Sequence, residues 1–366
     1  MSWRDLDESD VRVRPGRGSR PRSKDRPRHD DALVGMVISI DRGRYGVVLA
    51  AGVGGRHTPE RLVVAMKARE LGRRGIAVGD DVAVVGDTSG TPDTLARIVR
   101  IEPRRTVLRR SADDTDPVER VLVANADQLV IVSSLINPEP RPRLIDRCLV
   151  AAFDAGLAPL LLLTKADLID PAGFLEEYAP LHVPFVVTAR GVDGFTGLEE
   201  LRAHLSGKVS VLVGHSGVGK STIVNALVPD AHRSTGVVND VTGRGRHTST
   251  SAVALRLPDD SGWVVDTPGV RSFGLAHVEP HMIVSHFSDL EPGTDDCPRG
   301  CSHDEPECGL DAYVERGHAG TAGAARLASL RRLLRARSGE SGAAGISGIS
   351  GLSGDASDEE AGGFEG

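Results

Sequence analysis

The sequence has few aromatic residues, few cysteines and no long apolar run. Phe, Trp and Tyr make up 3% of its 366 residues, and four cysteines are present, too few over this length for a disulfide framework. No segment approaches the roughly 18 consecutive apolar residues that a membrane-spanning helix needs. The first ten residues, "MSWRDLDESD", lack the apolar stretch of a signal peptide. These absences predict a soluble, cytoplasmic protein with no membrane contact.

Charge is concentrated at the two ends of the chain. The formal net charge is −7, but residues 12–28 carry eight basic side chains and one acid, whereas residues 338–366 carry six acids and no base. Both ends are rich in Gly, Pro and Ser, a composition that does not form a packed core. We therefore expect disordered tails over residues 1–32 and 338–366. The basic tail is either a solvated linker or an arm that binds nucleic acid.

Five short runs rich in β-branched residues lie between residues 33 and 105: "VGMVISI", "YGVVLA", "RLVVAM", "DVAVV" and "LARIVRI". Short strands separated by turn residues, without helical periodicity, predict a small barrel. Its size fits an OB-fold, a five-stranded barrel that commonly binds RNA. Tyr45 is the one aromatic residue in these runs, so base stacking is not expected to dominate its RNA contacts.

Strands and helices alternate from about residue 127, which predicts an α/β domain over residues 106–280. The runs "DQLVIVSS", "PLLLLT", "VPFVVTA" and "KVSVLVG" are continuously apolar, as in a parallel sheet covered by helices on both faces. Ligands of such sheets bind at the carboxyl ends of the strands. The motifs "TKAD" (residues 164–167), "TAR" (188–190) and "GHSGVGKS" (214–221) stand at strand ends. We expect them at one edge of the sheet.

The stretch "GHSGVGKS" matches the phosphate-binding pattern G-x-x-x-x-G-K-[ST], and the helical run "STIVNALV" overlaps its end. The glycines Gly214, Gly217 and Gly219 would let backbone N–H groups surround phosphates. Lys220 would reach the β- and γ-phosphates and Ser221 would bind Mg²⁺. The loop alone does not distinguish ATP from GTP.

A second phosphate motif, "DTPG" (residues 266–269), follows the strand "GWVV". Asp266 would hold Mg²⁺ through water, and the Gly269 N–H would contact the γ-phosphate; a plain β-turn is the alternative. Between the two motifs, "TGRGRHTSTSAVALRL" (residues 242–257) suits a switch loop that the γ-phosphate orders. A hydroxyl there, at Thr248 or less favourably at Ser249 or Thr250, would complete the Mg²⁺ shell.

The motif "TKAD" fits recognition of guanine. Asp167 can accept hydrogen bonds from the N1–H and 2-amino groups of guanine, whereas adenine would leave this carboxylate unpaired. The stem of Lys165 would pack along the ring, and a backbone N–H of "TAR" would meet the guanine O6. Thr164 stands where such motifs normally have an asparagine whose amide braces the base pocket. The alternative is a helix start with a surface lysine.

The order of these motifs is reversed. An ordinary GTPase has its phosphate-binding loop first and its base motifs last, whereas here "TKAD" and "TAR" precede "GHSGVGKS" and "DTPG". Joining the old termini and cutting the sheet between its two halves gives this order and keeps all motifs at one edge. The sequence therefore predicts a circularly permuted GTPase.

A metal site is predicted near the C-terminus. In "CPRGCSHDEPEC", three thiols and one imidazole fall within 12 residues: Cys297, Cys301, His303 and Cys308. This is a Cys₃His set for structural Zn²⁺. The alternatives are redox chemistry or a chance cluster, and a cytoplasmic protein favours metal over disulfide. The fourth cysteine, Cys148, lies in an amphipathic helical run and is expected to be a small core residue.

The residue after "DTPG" is Val270, where many GTPases have a glutamine that orients the attacking water. An apolar side chain cannot orient water, so another group must do so. His247, on the switch loop, is the candidate; the alternative is that it contacts RNA or nothing.

Together, the barrel, the permuted motifs "GHSGVGKS", "GRGRHTST" and "DTPGVRSFGL", and the Cys₃His cluster resemble the ribosome small subunit-dependent GTPase A family of bacteria over residues 33–337. The resemblance implies an OB-fold, a permuted GTPase domain and a zinc-binding C-terminal helical domain over residues 281–337. It implies GTP hydrolysis stimulated by the 30S subunit during late maturation, with 16S rRNA, GTP and GDP as partners. A monomer is the default. Carried onto this sequence, the GTP-binding residues are Thr164, Lys165, Asp167, Gly214, His215, Ser216, Gly217, Val218, Gly219, Lys220, Ser221 and Thr222.

Two other functions remain open from the sequence. One is a P-loop ATPase or kinase unrelated to ribosomes, which "TKAD" disfavours. The other is an RNA-binding scaffold that keeps nucleotide only as a structural ligand, which the complete set Lys220, Ser221 and Asp266 disfavours.

Overall fold

The computed structural model of the chain describes residues 29–55, 57–72, 74–91, 94–110, 120–192, 194–229, 252–267, 273, 275 and 277–338. The basic segment 12–28 and nearly all of the acidic C-terminal segment lie outside these residues. No helix in the described part of the chain combines the length and apolarity needed to cross a membrane.

The first five strands close into the predicted barrel. They are β1 (Leu33–Asp41), β2 (Arg44–Leu49), β3 (Arg61–Lys67), β4 (Asp81–Gly86) and β5 (Ala96–Ile101). Their order is β1-β2-β3-β5-β4, and β4 pairs back with β1, so these five strands form a closed barrel. Alternate residues point inward and fill the interior, including Val37, Val47, Val63, Val82 and Ile98, each 0% exposed. Five strands were predicted here, and all five are confirmed.

A tight junction joins the barrel to the next segment. The backbone at Gly79 has φ +87°, and a Cβ there would lie 2.0 Å from the carbonyl oxygen of Ala124. Asn125 Nδ2 donates to the Gly79 carbonyl over 3.0 Å. Arg104 donates two hydrogen bonds, of 2.6 and 2.8 Å, to the fully buried carboxylate of Asp80. The junction is held by paired buried polar groups, which makes it rigid rather than a flexible linker.

The α/β sheet has five parallel strands and one antiparallel strand. These are β8 (Gln128–Ser134), β9 (Ala158–Thr164), β10 (Phe185–Val187), β13 (Lys208–Val213), β15 (Gly262–Asp266) and the antiparallel β14 (Val253–Arg256). The order is β10-β9-β8-β13-β15-β14. The predicted parallel sheet is confirmed.

One sequence prediction is wrong at β14. Residues 242–257 were assigned as a whole to a switch loop, but residues 253–256 form a strand. Ala254 and Leu255 are 3% and 6% exposed, so burial of this short apolar run outweighs the loop character of the Gly- and Ser-rich part before it. Strand β14 also pairs with β1 of the barrel at Val253 and Ser39, which joins both sheets into one of eleven strands.

Two short hairpins were not predicted. The first pairs β6 (Val107–Arg110) with β7 (Arg120–Ala124), next to the barrel junction. The second pairs β11 (Ala189–Gly191) with β12 (Gly194–Thr196), directly after β10. Strands of three to five residues show too little alternation to be recognised from sequence.

Helices cover the α/β sheet. They are α1 (Pro142–Asp154), α2 (Ala172–Tyr178), α3 (Leu198–Leu205) and α4 (Lys220–Leu227). The second half of helix α1 is buried on all sides, from Cys148 to Phe153, and Cys148 is 1% exposed. Burial raises the pKa of the Cys148 thiol to about 12, so it is a neutral core residue, as predicted.

The C-terminal part contains α5 (Pro280–Val284), α6 (Gly309–Glu315) and α7 (Gly323–Ser338). Helix α7 packs on α1 through apolar residues such as Leu330 and Leu333, both 0% exposed. Arg326 of α7, 4% exposed, holds Asp289 through two hydrogen bonds of 2.5 Å and donates to the carbonyl of Pro180 over 2.6 Å. These contacts fix helix α7 to α1 and to the segment between α2 and β10.

A buried carboxylate lies under the same interface. Asp146 of α1 is 3% exposed and pairs with Arg332 of α7 over 3.1 Å. Burial raises the pKa of Asp146 to about 7, and the positive charge of Arg332 only partly opposes this shift. The group belongs to the packing between the two helices and lies apart from the strand ends described next.

Candidate functional site

The carboxyl ends of three parallel strands of the α/β sheet carry the predicted motifs. Strand β9 ends at Thr164, β13 ends at Val213 and β15 ends at Asp266. In the sheet, β8 lies between β9 and β13, and β13 pairs directly with β15. The motifs "TKAD", "GHSGVGKS" and "DTPG" therefore begin at one edge, as the parallel sheet requires.

The glycine-rich loop of residues 214–219 connects β13 to α4. A Cβ at Gly214 would lie 2.5 Å from the carbonyl oxygen of Val132, so only glycine fits between the loop and β8. Gly219 precedes α4 with φ +92°, which favours glycine. Val218 is 4% exposed and packs inward, while Ser221 and Thr222 lie exposed in the first turn of α4. The first-turn N–H groups of a helix carry partial positive charge and attract anions.

Lys220, the first residue of α4, reaches across to the end of β15. Its Nζ lies 2.5 Å from Asp266 Oδ1 and 2.5 Å from the carbonyl oxygen of Thr267. The side chain of Lys220 is 11% exposed and that of Asp266 is 33% exposed. The phosphate loop and "DTPG" thus meet through an ion pair, which places one cation and one carboxylate where phosphate and Mg²⁺ chemistry would need them.

The base motif is bound to the phosphate loop by its first two residues. Thr164, 4% exposed, donates its hydroxyl to the carbonyl of Val218 over 2.6 Å. Lys165 Nζ donates to the carbonyl of Gly217 over 3.2 Å and also to that of Asn137. In the usual motif, an asparagine amide braces the base pocket. Here the hydroxyl of Thr164 makes the contact with the phosphate loop.

The two predicted base motifs contact each other. The backbone N–H of Arg190 donates to Asp167 Oδ1 over 2.9 Å, and the N–H of Ala166 donates to the carbonyl of Thr188 over 3.2 Å. Beside them lies a cavity of about 240 Å³, and its lining residues come from both motifs, the phosphate loop, α4 and β12. They are Thr164, Lys165, Asp167, Leu168, Thr188, Arg190, Phe195, Gly219, Thr222 and Ile223. Leu168, Phe195 and Ile223 were not among the predicted site residues.

Replacing Thr164 by valine tests the bond to the loop. Valine keeps the shape but has no hydroxyl, so the buried carbonyl of Val218 loses this partner, at a cost of about 1–3 kcal/mol. We expect a similar fall in the free energy of unfolding, measured by chemical denaturation, and weaker GDP binding, measured by calorimetry.

Serine at position 164 is the matched control, because it retains the hydroxyl and loses only a methyl group. The bracing role is wrong if the valine and serine variants bind GDP with the same affinity as the wild type.

The four predicted metal ligands converge. Cys297 Sγ lies 3.5 Å from His303 Nδ1 and 3.8 Å from Cys308 Sγ, and Cys308 Sγ lies 3.9 Å from His303 Nδ1. With Cys301, all four ligand atoms lie within 4.8 Å of one another. Zn–S bonds of about 2.3 Å in a tetrahedron separate sulfur atoms by roughly 3.8 Å. The cluster could hold a metal ion, and its spacing fits a tetrahedral one.

Arginines of α7 hold the metal-ligand loop in place. Arg331 donates to the carbonyl of His303 over 2.9 Å and forms a two-point pair with Asp311. Arg335 forms a second two-point pair with Asp304, with both bonds at 2.8 Å. Burial, as the largest cause, raises the pKa of the Cys301 thiol to about 12, so a bound cation would have to displace its proton.

Several predicted residues lie outside the described part of the chain. These are Gly269 and Val270 after Asp266, and the switch-loop residues His247, Thr248, Ser249 and Thr250. Their roles stay predictions.

The motifs begin at one sheet edge but follow one another along the chain in reversed order, which defines a class, the circularly permuted GTPases. Residues 101–276 match the family model described as RsgA GTPase. The chain is 40% identical over 252 residues to the small ribosomal subunit biogenesis GTPase RsgA of Pseudomonas aeruginosa, with 66% of this chain and 71% of that protein covered. It is 36% identical over 296 residues to the RsgA of Chlorobaculum tepidum, with 78% and 93% covered. The chain belongs to the RsgA GTPase family and is a GTP-hydrolysing enzyme.

Solved structures agree in fold. YjeQ from Thermotoga maritima has a TM-score of 0.59 at 28% sequence identity, covering 84% of this chain and 99% of that chain. YloQ, described as a circularly permuted GTPase, has a TM-score of 0.57 at 22% identity, covering 86% and 99%. The likeness to YloQ shows the fold alone.

Proposed function

We propose that this chain binds the small ribosomal subunit and hydrolyses GTP during late subunit maturation, with turnover stimulated by the ribosome. The proposal is supported chiefly by one hydrogen bond: Thr164 of "TKAD" donates to the carbonyl of Val218 in the glycine-rich loop, which connects the predicted base and phosphate motifs. It occurs in a chain whose relatives are named small ribosomal subunit biogenesis GTPases. The proposed cellular location is the cytoplasm, and the proposed state is a monomer.

GTP would lie across the strand ends, with its base near Asp167 and its phosphates at the glycine-rich loop. Asp167 would accept from guanine N1–H and the 2-amino group, and adenine offers neither donor at these positions. The proposed GTP contacts are Thr164, Lys165, Asp167, residues 214–222, Asp266 and Gly269. Binding of a phosphate would require Lys220 to exchange its partner Asp266 for phosphate oxygens.

The oxygen ligands present fit Mg²⁺, which prefers carboxylate, hydroxyl and phosphate oxygens. Asp266 offers its carboxylate, and Ser221 and Thr248 would offer hydroxyls. When bound, Mg²⁺ would neutralise charge on the β- and γ-phosphates. Lys220 and the first-turn N–H groups of α4 would stabilise the negative charge that develops in the transition state. His247 would position the attacking water in place of the glutamine that Val270 replaces.

The barrel and the C-terminal cluster are the proposed ribosome contacts. Read as an OB-fold over residues 33–105, the barrel carries a cleft of about 430 Å³ lined in part by His29, Arg74, Arg97 and Arg100. The basic segment 12–28 leads directly into His29. Cations at a cleft and in the preceding chain favour a polyanion such as 16S rRNA. The Cys₃His cluster of residues 281–337 would hold structural Zn²⁺ through Cys297, Cys301, His303 and Cys308.

Turnover measured with ribosomal particles tests the proposal. We expect slow GTP hydrolysis by the protein alone, because no glutamine orients the water, and stimulation of at least tenfold by 30S subunits. The measurement is phosphate release with 30S, 50S or 70S particles, and with ATP in place of GTP.

The controls separate the parts of the proposal. Rates that are equal with and without every particle would remove the ribosomal partner, and ATP hydrolysed as fast as GTP would remove the base assignment. The His247→Ala variant should lower only the 30S-stimulated rate while GTP affinity stays unchanged. An unchanged stimulated rate would dispose of the histidine's role.

A further inference from the structure

The cavity beside Asp167 has an aromatic wall. Phe195 lines it from strand β12, together with Lys165, Asp167 and Arg190. Aromatic side chains are scarce in this chain, which has seven phenylalanines, three tyrosines and two tryptophans. An aromatic ring beside a carboxylate that suits guanine is a combination that fits a planar, hydrogen-bonding ligand.

The hairpin that carries Phe195 is fixed to the base motifs. Phe195 of β12 pairs with Arg190 of β11, whose N–H donates to Asp167 Oδ1 over 2.9 Å. Thr188, immediately before the hairpin, is 1% exposed and donates its N–H to the carbonyl of Leu163 over 2.7 Å. The backbone at Phe195 is therefore held in a fixed relation to the carboxylate of Asp167.

Phe195 is half-buried. It packs against an apolar cluster that includes Leu201 of α3 and Ile223 of α4. It also lines the open cavity. A ring that is supported by the core and also borders a cavity loses little conformational freedom when a flat ligand stacks on it. Such a ring suits stacking better than a mobile surface aromatic would.

The order of strands in the sheet places Phe195 and Lys165, the other side chain that could pack against a flat base, on different sides of β9. Lys165 follows β9, and its Nζ is drawn toward the phosphate loop, which follows β13, by the bond to Gly217. The hairpin with Phe195 follows β10, on the opposite side of β9. A base that reaches Asp167 would thus have a lysine stem from one direction and an aromatic ring from the other.

We propose that Phe195 stacks on the purine base and sets nucleotide affinity, while Asp167 sets the choice of base. The inference rests on the proposed guanine nucleotide site. Stacking depends on the flat face that all purines share, so it adds affinity without discriminating between them. Hydrogen bonding to Asp167 depends on the groups at N1 and C2 and supplies the discrimination.

The test compares affinities for GDP, IDP and ADP in variants of the full-length protein. Phe195→Ala should weaken GDP and IDP binding by the same factor, roughly tenfold, and leave the GDP to IDP ratio unchanged. Phe195→Tyr should restore affinity to within about twofold, because the ring is kept. Phe185→Ala is the matched control, since Phe185 is 46% exposed on neighbouring β10 and does not line the cavity.

A spectroscopic readout keeps the test independent of folding losses. In Phe195→Trp, GDP should quench indole emission beyond any change seen in the wild type, because the base would stack on the new ring. One outcome would overturn the role of Phe195 alone. In it, the wild type prefers GDP to ADP, but Phe195→Ala binds GDP with unchanged affinity or Phe195→Trp shows no added quenching. Wild-type protein that binds GDP and ADP equally would overturn the guanine site and this inference with it.

Discussion

Replacing Lys220 by alanine is expected to lower GTP turnover by roughly 100- to 1,000-fold, in line with losing one preorganised group that stabilises transition-state charge. The ammonium of Lys220 lies 2.5 Å from Asp266 and is mostly shielded from solvent by its surroundings. It is therefore placed where the proposed phosphates and the end of β15 meet. The loss should be seen in single-turnover phosphate release, with and without 30S subunits.

Lys208→Ala is the matched control for charge. Lys208 starts β13, at the end of the strand opposite the phosphate loop, and donates to the carbonyl of His204 over 2.8 Å. The Lys208→Ala variant removes the same charge from the same strand–loop–helix unit and should keep GTP turnover within about twofold of the wild-type rate. If Lys220→Ala hydrolyses GTP as fast as Lys208→Ala, the catalytic assignment of Lys220 is wrong. Unfolding curves of both variants show whether a loss of rate comes from a loss of structure.

Replacing Cys308 by alanine is expected to abolish stoichiometric zinc retention and to destabilise the C-terminal helices. Cys308 is 3% exposed and directly precedes α6, so the change removes a proposed ligand and a buried anchor together. Structural zinc sites contribute apparent binding free energies of about 10–16 kcal/mol in small zinc-dependent domains. Here Arg326, Arg331 and Arg335 hold the same region independently, so a loss of several kcal/mol is expected rather than complete unfolding.

Atomic emission would measure the loss of zinc. Hydrogen exchange over residues 291–316 would measure the destabilisation of the C-terminal helices. Cys148→Ala is the control, because it removes a buried cysteine outside the cluster and should retain one zinc per chain. Acid should release the metal from the wild type, because its thiolate and imidazole ligands take up protons as the pH falls. Full zinc content in Cys308→Ala would contradict the ligand assignment.

The sequence was most informative where a feature is local. The five barrel strands, the continuously apolar strands of the α/β sheet and the glycine-rich loop each depend on residues within one short segment. The convergence of Cys297, Cys301, His303 and Cys308 could be expected for the same reason, because they fall within 12 residues.

Long-range contacts were not predictable in the same way. Thr164 and Val218 are 54 positions apart, and the sequence shows only that an asparagine is absent. Phe195 lies on a three-residue strand, too short for any period to place it, and it borders the base cavity only through the fold of the hairpin. Strand β14 was missed because its four residues follow a long Gly-, Ser- and Thr-rich stretch.

The pairing of β14 with β1 links the barrel and the α/β sheet through backbone hydrogen bonds. Strand β14 is also the end of the segment that the sequence predicted as a switch loop, and it runs beside β15, which ends at Asp266. A shift of β14 that accompanies GTP binding would therefore act on a strand of the barrel itself. If the barrel binds the proposed rRNA partner, thermodynamic linkage makes the effect mutual: the factor by which GTP changes the affinity for that RNA equals the factor by which the RNA changes the affinity for GTP. Measuring either one gives the other.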